Sequence, residues 1–203
     1  MLPALRRPSA GRKGGPLILL LHGHGADERD IFPLGEAFPP AAAVVALRGP
    51  IASEGGFRWY AHQAVGRPIP ASLAEGIAYA EGWLDANAAD ARGLWLVGFS
   101  GGALLAGALL LRDPGRYAGV ALLHGTLPFD AGLDPAPGRL AGCEVFYGYG
   151  EGDGVIPPAL VARSRDYLRE ASGAHAQIRG YRAGHEIPPA EQRDLARWYA
   201  ALS

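Results

Sequence analysis

Ser100 sits in Gly98-Phe99-Ser100-Gly101-Gly102, directly after the apolar run Gly93 to Val97 and directly before the helix-prone run Ala103 to Leu111. This is G-x-S-x-G between a strand and a helix. A serine pushed out of so sharp a turn needs a strained backbone, and glycines at positions 98 and 102 let strand and helix pass close together. The helix N-terminus behind the serine favours the negative charge that develops when a hydroxyl attacks a carbonyl. Taken alone, the pentapeptide has a second reading, a glycine-rich turn whose serine only caps a helix. What weighs against that reading is the flanking strand and helix, and the partners found further along the chain.

A nucleophilic serine is inert without a base, and the base needs a third group to hold its tautomer. On a strand-turn-helix scaffold these follow in the order Ser, then Asp or Glu, then His. The run Cys143 to Tyr147 leads into Gly148-Tyr149-Gly150-Glu151-Gly152-Asp153-Gly154-Val155-Ile156-Pro157, where Asp153 is the candidate acid and Glu151 the fallback. The run Ala176 to Tyr181 leads into Arg182-Ala183-Gly184-His185-Glu186-Ile187-Pro188-Pro189, which makes His185 the candidate base. His175 precedes its strand, His62 lies between the second strand and a long helix, and His124 comes before both acids. A lone histidine is more often structural than catalytic, so these three are set aside.

Acyl transfer also needs two N–H donors aimed at the developing oxyanion. One comes from the residue after the nucleophile, Gly101, and the other from a loop such as Leu21-His22-Gly23-His24-Gly25, where the His24 amide is the candidate. The same loop could be a dinucleotide fingerprint, but the third glycine position is Glu28, which would repel a pyrophosphate. His22 and His24 at i and i+2, with no third ligand pattern, do not make a metal site, and none is expected.

These loops all follow short apolar runs bounded by glycine, proline or polar clusters: Pro16 to Leu21, Ala43 to Leu47, Gly93 to Val97, Gly119 to Leu123 and Cys143 to Tyr147. Lacking strict alternation, they read as strands buried on both faces of a parallel sheet. The more polar Ala176 to Tyr181 belongs nearer an edge. Between them lie segments of helical period: Ala71 to Ala88, with Leu73, Ile77, Ala80 and Leu84 on one face; Pro158 to Ala171; and a last stretch carrying Leu195, Trp198, Tyr199 and Leu202. Alternating strand and helix imply an open, mostly parallel sheet with helices on both faces and its site at the carboxyl ends of the strands. The connection Thr126 to Gly142 is rich in proline and glycine and has no helical period, so no lid domain is expected.

The 203 residues are one domain's worth, 1–203, and 49% hydrophobic with 19% charged at a net charge of −1 describes a globular chain. Neither nucleic-acid coating nor stable membrane insertion fits this balance. The N-terminal stretch carries Arg6, Arg7, Arg12 and Lys13, but the apolar run that follows, Leu17 to Leu21, is too short for a signal-peptide core or a membrane span. Cys143 is the only cysteine and cannot form an internal disulfide, which suits a reducing, cytoplasmic setting.

With these residues together, the chain resembles the phospholipase/carboxylesterase family of α/β-hydrolases, which includes acyl-protein thioesterases and bacterial carboxylesterases. The resemblance rests on Leu21-His22-Gly23-His24-Gly25 with Asp30 downstream, Arg58-Trp59-Tyr60, Gly98-Phe99-Ser100-Gly101-Gly102, Gly152 to Pro157 and Gly184 to Pro188, in that order, from about Pro16 to the last residue. It implies an α/β-hydrolase fold, a Ser100, Asp153, His185 triad, no metal or organic cofactor, and small-molecule carboxylic esters or thioesters as substrates. It also implies that Trp59 lies near an acyl pocket, the alternative being a core aromatic. One departure stands out: many members carry Gln after the nucleophile, and here that residue is Gly101. A hydrolase-fold protein that binds without turnover, and a peptidase on the same fold, are the other readings. A homo-oligomer is compatible with all of them.

Overall fold

Each apolar run becomes a strand, and pairing sets them side by side. In the computed structural model, which describes residues 4–11, 14–133 and 135–203, these are β1 (Ala4–Arg7), β2 (Leu17–Leu21), β3 (Ala43–Leu47), β4 (Ile51–Ser53), β5 (Gly56–Arg58), β6 (His62–Ala64), β7 (Arg67–Pro68), β8 (Leu94–Phe99), β9 (Gly119–Leu123), β10 (Glu144–Gly150) and β11 (His175–Tyr181). Arg12 and Lys13 of the basic stretch lie outside the described residues. One seven-stranded sheet runs β1-β3-β2-β8-β9-β10-β11, and β4-β5 and β6-β7 are separate two-stranded hairpins. Every pairing in the large sheet is parallel except β1 with β3. The polar strand β11 is indeed at an edge.

The helices are α1 (Glu28–Ile31), α2 (Pro70–Asn87), α3 (Gly101–Arg112), α4 (Pro158–Asp166) and α5 (Pro189–Leu202). Prolines open α2, α4 and α5 at positions where a missing N–H costs nothing. Along β2, Leu17, Leu19 and Leu21 pack into the same cluster as Leu73, Ile77 and Leu105, while Ile18 and Leu20 join Phe38, Leu195 and Tyr199 on the other side. The sheet is therefore buried on both faces, which is why its central strands carry no polar alternation. Helix α3 is buried all round, from Gly101 to Leu111, as an apolar helix in mid-core must be. The helical run after Pro158 ends in a π-helical turn, Tyr167–Ala171, and Leu202 in the last turn of α5 is exposed instead of packed. No helix among the described residues is long and apolar enough to cross a membrane.

Candidate active site

Strand β8 lies between β2 and β9, with Leu21 opposite Gly98 and Phe99 opposite Leu123, so the turn after it emerges at the middle of the sheet's carboxyl edge. There Ser100 takes φ 54°, ψ −115°, a backbone that is strained for a residue with a side chain, and its N–H donates to Leu123 O at 2.9 Å. The neighbouring glycines are required for space. A Cβ on Gly98 would run into the Gly102 carbonyl, and one on Gly102 into the Leu21 carbonyl.

The loops after β10 and β11 bring two more side chains to this serine. His185 Nε2 lies 2.9 Å from Ser100 Oγ, and His185 Nδ1 lies 2.8 Å from Asp153 Oδ2. A carboxylate at Nδ1 fixes the tautomer with hydrogen there, leaving Nε2 to accept from the serine hydroxyl. Asp153 is itself held: its Oδ1 accepts from the Val155 and Ile156 amides at 2.8 and 3.0 Å. Burial pushes its carboxyl up, but the His185 hydrogen bond and the Ile156 and Val155 amides outweigh that and leave it below the usual carboxylate range. Glu151 is exposed, and its N–H donates to Tyr181 O.

The loop after β2 is pinned from several sides. The Gly49 amide donates to His22 Nε2 at 2.9 Å, so His22 Nδ1 carries hydrogen and donates to Gly23 O at 2.7 Å. Trp59 Nε1 donates to His22 O at 2.8 Å, and the Gly25 amide donates to Phe57 O at 3.0 Å. A bidentate Arg48–Glu28 pair closes the far side. The His24 side chain packs against Gly101, the first residue of α3, where backbone N–H groups have no intrahelical acceptor.

Trp59 is not where a pocket residue would be. It is fully buried against the His22 ring at 4.8 Å, and it is Tyr60 that reaches the cavity. An indole N–H needs a partner when buried, and His22 O supplies it. Trp59 therefore braces the loop after β2 and does not line the cavity beside Ser100.

The glycine after Ser100 also has a structural explanation. A Cβ on Gly101 would lie 2.9 Å from His24 Cδ2, so the imidazole occupies the space that a side chain at 101 would need. That ring stacks on His62 and meets Tyr60 edge-on, both at 4.8 Å. Burial, with His62 and Arg58 nearby, lowers the His24 pKa to about 4, so the ring is neutral near neutral pH.

A cavity of about 280 Å³ opens beside Ser100 and His185, walled by Tyr60, His62, Val65, Leu104, Val155 and Ile156. This is at the small end for ligand pockets. Among the described residues, His124, Asp153 and His185 bring donor atoms within 4.8 Å of one another, a grouping that could in principle hold an ion. The short His185–Asp153 contact already uses one donor of each on the other.

Two buried residues here escape sequence reasoning. His124, set aside on chain order, directly follows β9 and hydrogen-bonds Glu191, in the first turn of α5, at 2.8 Å. The usable signal was position, because His124 stands at the carboxyl end of a central strand just as Ser100 does.

The sequence matches the phospholipase/carboxylesterase family over residues 8–202. Among curated proteins it is similar to MhqD of Bacillus subtilis (strain 168), described as a candidate hydrolase, with 29% identity over 188 residues covering 90% of this chain and 92% of that one. Among solved structures it is similar to the Bacillus cereus carboxylesterase at TM-score 0.87 and 26% identity, covering 100% of this chain and 95% of that one. The Mesorhizobium loti carboxylesterase superposes at TM-score 0.80 with 28% identity, covering 91% and 88% of the two chains.

Proposed function

The chain belongs to the phospholipase/carboxylesterase family of α/β-hydrolases and is a carboxylic ester hydrolase, and from that premise we propose that it works by two-step acyl transfer through Ser100, His185 and Asp153. Ser100 Oγ attacks the acyl carbon of an ester or thioester while His185 Nε2 takes its proton. The His24 and Gly101 amides hold the oxyanion, and the tetrahedral intermediate collapses as His185 returns the proton to the leaving alcohol or thiol. Water then enters, gives a proton to His185, attacks the acyl carbon and releases the acid, with the proton restored to Ser100.

The observation that carries this reading is the unbroken chain Ser100 Oγ to His185 Nε2 at 2.9 Å and His185 Nδ1 to Asp153 Oδ2 at 2.8 Å, built on a strained serine turn. Three groups from three different strand-end loops have no common structural reason to converge. Turnover of a panel of p-nitrophenyl esters and acyl thioesters by wild type and Ser100→Ala tests it. The expected loss is on the order of 10⁴-fold or more, because nucleophile and base act as one unit. Near-normal turnover by Ser100→Ala would overturn the reading.

A further inference from the structure

The polar chain of the site continues past Asp153 into the core. His124 and Glu191 are 67 residues apart, both side chains are 0% exposed, and their Nε2 and Oε2 atoms lie 2.8 Å apart. On its other side, His124 Nδ1 lies 3.5 Å from Asp153 Oδ2, the same oxygen that faces His185, and it has no other partner among the described residues. The surroundings are shaped around the pair. A Cβ on Gly148 would run into Glu191 Oε1, and His124 itself holds φ 47°, a left-handed backbone that is uncommon for residues with a side chain.

Proton placement decides what this pair presents to Asp153. With one proton shared, either His124 is an imidazolium and Glu191 a carboxylate, or a protonated Glu191 donates to Nε2 of a neutral imidazole whose hydrogen is on Nδ1. In both cases the pair is neutral overall and an Nδ1–H faces Asp153. The remaining arrangement, Nε2–H donating to an ionised Glu191, would set a bare Nδ1 against the Asp153 oxygen and leave two buried anions with nothing between them. Burial pushes the Glu191 carboxyl up, which keeps the shared proton on the pair. Burial works to lower the His124 pKa, but the Glu191 hydrogen bond and the Glu191 and Asp153 charges raise it overall.

We propose that His124, backed by Glu191, is a positioning residue for the hydrolysis: its Nδ1–H gives Asp153 Oδ2 a second donor and fixes the carboxylate that orients His185. The proposal rests on the triad reading above. The groups facing His124 are Glu191 from α5, Asp153 from the loop after β10, the His185 ring at 6.1 Å and the Phe99 ring of β8 at 5.9 Å. Glu191 also feels the charge of Asp194, one turn further along α5. Without the Nδ1–H, the Asp153 charge is less neutralised and holds the His185 imidazolium more tightly. The acid limb of kcat/KM then moves to higher pH, and kcat falls while KM stays.

Two substitutions separate the two contacts. The amide nitrogen of Asn reaches the place of Nδ1, and Asn tolerates φ 47°, so His124→Asn keeps the donor to Asp153 and loses Glu191. His124→Gln reaches the place of Nε2, keeping Glu191 and losing Asp153. The expected result is kcat within about threefold of wild type and an unmoved acid limb for His124→Asn, against about tenfold lower kcat, unchanged KM and a raised acid limb for His124→Gln. The reverse order, or a kinetically silent His124→Gln, would overturn the proposal. Histidine-selective ¹⁵N NMR of the wild-type protein needs no folded variant: a protonated Nδ1 at His124 through the active pH range is expected, and a bare Nδ1 would also overturn it. Failure here with Ser100→Ala still inactive is a failure of the His124 role alone, whereas an active Ser100→Ala brings down the triad reading itself.

Discussion

Asp153 is the most closely held carboxylate of the site, and its partners say what its loss should do. Two backbone amides fix one oxygen and His185 uses the other, so Asp153→Asn keeps the shape but offers His185 the wrong partner. The expected loss in kcat is about 10⁴-fold, while Glu151→Gln, altering an exposed side chain, stays within about twofold; steady-state kinetics of the pair checks the assignment. At the next residue along the site, Gly101→Gln must displace the His24 ring, since its Cβ alone would come within 2.9 Å of it. Urea denaturation should show a cost of about 1–3 kcal/mol, partly recovered in the double variant with His24→Ala. Full stability of Gly101→Gln would mean that the ring moves freely. Ser100, Asp153 and His185 each stand just after a strand run, apolar for the first two and more polar for His185, so local pattern alone brings them to one edge of the sheet. The position of His124 after β9 was a local signal, but its pairing with Glu191 across 67 residues of chain and the turn of Trp59 into the core leave no local trace.

At the scale of elements, the crossing of β8 and α3 is what makes the serine turn possible. Gly102 abuts the Leu21 carbonyl, and backbone cannot step aside as a side-chain tip can. Gly102→Ala should therefore cost about 3 kcal/mol or more in urea denaturation and lower activity with it, and a variant of wild-type midpoint would contradict the packing described. The hairpin β6-β7 supplies the outer cavity wall through His62, Ala64 and Val65, and Gly66 at its tip, with φ 73°, sits against Leu160 of α4. With so small a cavity, kcat/KM should climb about fourfold per acyl methylene, from about 0.8 kcal/mol each, and flatten after a few carbons. A rate that keeps rising through long-chain emulsified esters, or jumps above the critical micelle concentration, would refute that wall. The six principal strands and the long helices were readable because buried runs and helical period are local signals. Strand β1 and the hairpins were not, since two- to four-residue strands are too short to show a period, and β1 is held by pairing with β3, some forty residues away.

For the molecule as a whole, the buried charges of the site tie stability to pH on both sides. Asp153 has a folded pKa below its ordinary value of 3.8, so its contribution is present above that value and is lost as pH falls through the folded one. His124 has a folded pKa above 6.5, so its contribution is complete below 6.5 and is lost as pH rises through the folded value. The melting temperature should accordingly fall toward both extremes, and His124→Asn should flatten the alkaline decline; an unchanged alkaline limb would show that His124 does not titrate as described. The account stands or falls on which atom takes the acyl group. Wild-type protein treated with a fluorophosphonate should gain one adduct by intact mass, and fragmentation should place it on Ser100, with none formed by Ser100→Ala. An adduct on another residue, or none from a preparation that still hydrolyses esters, would contradict it.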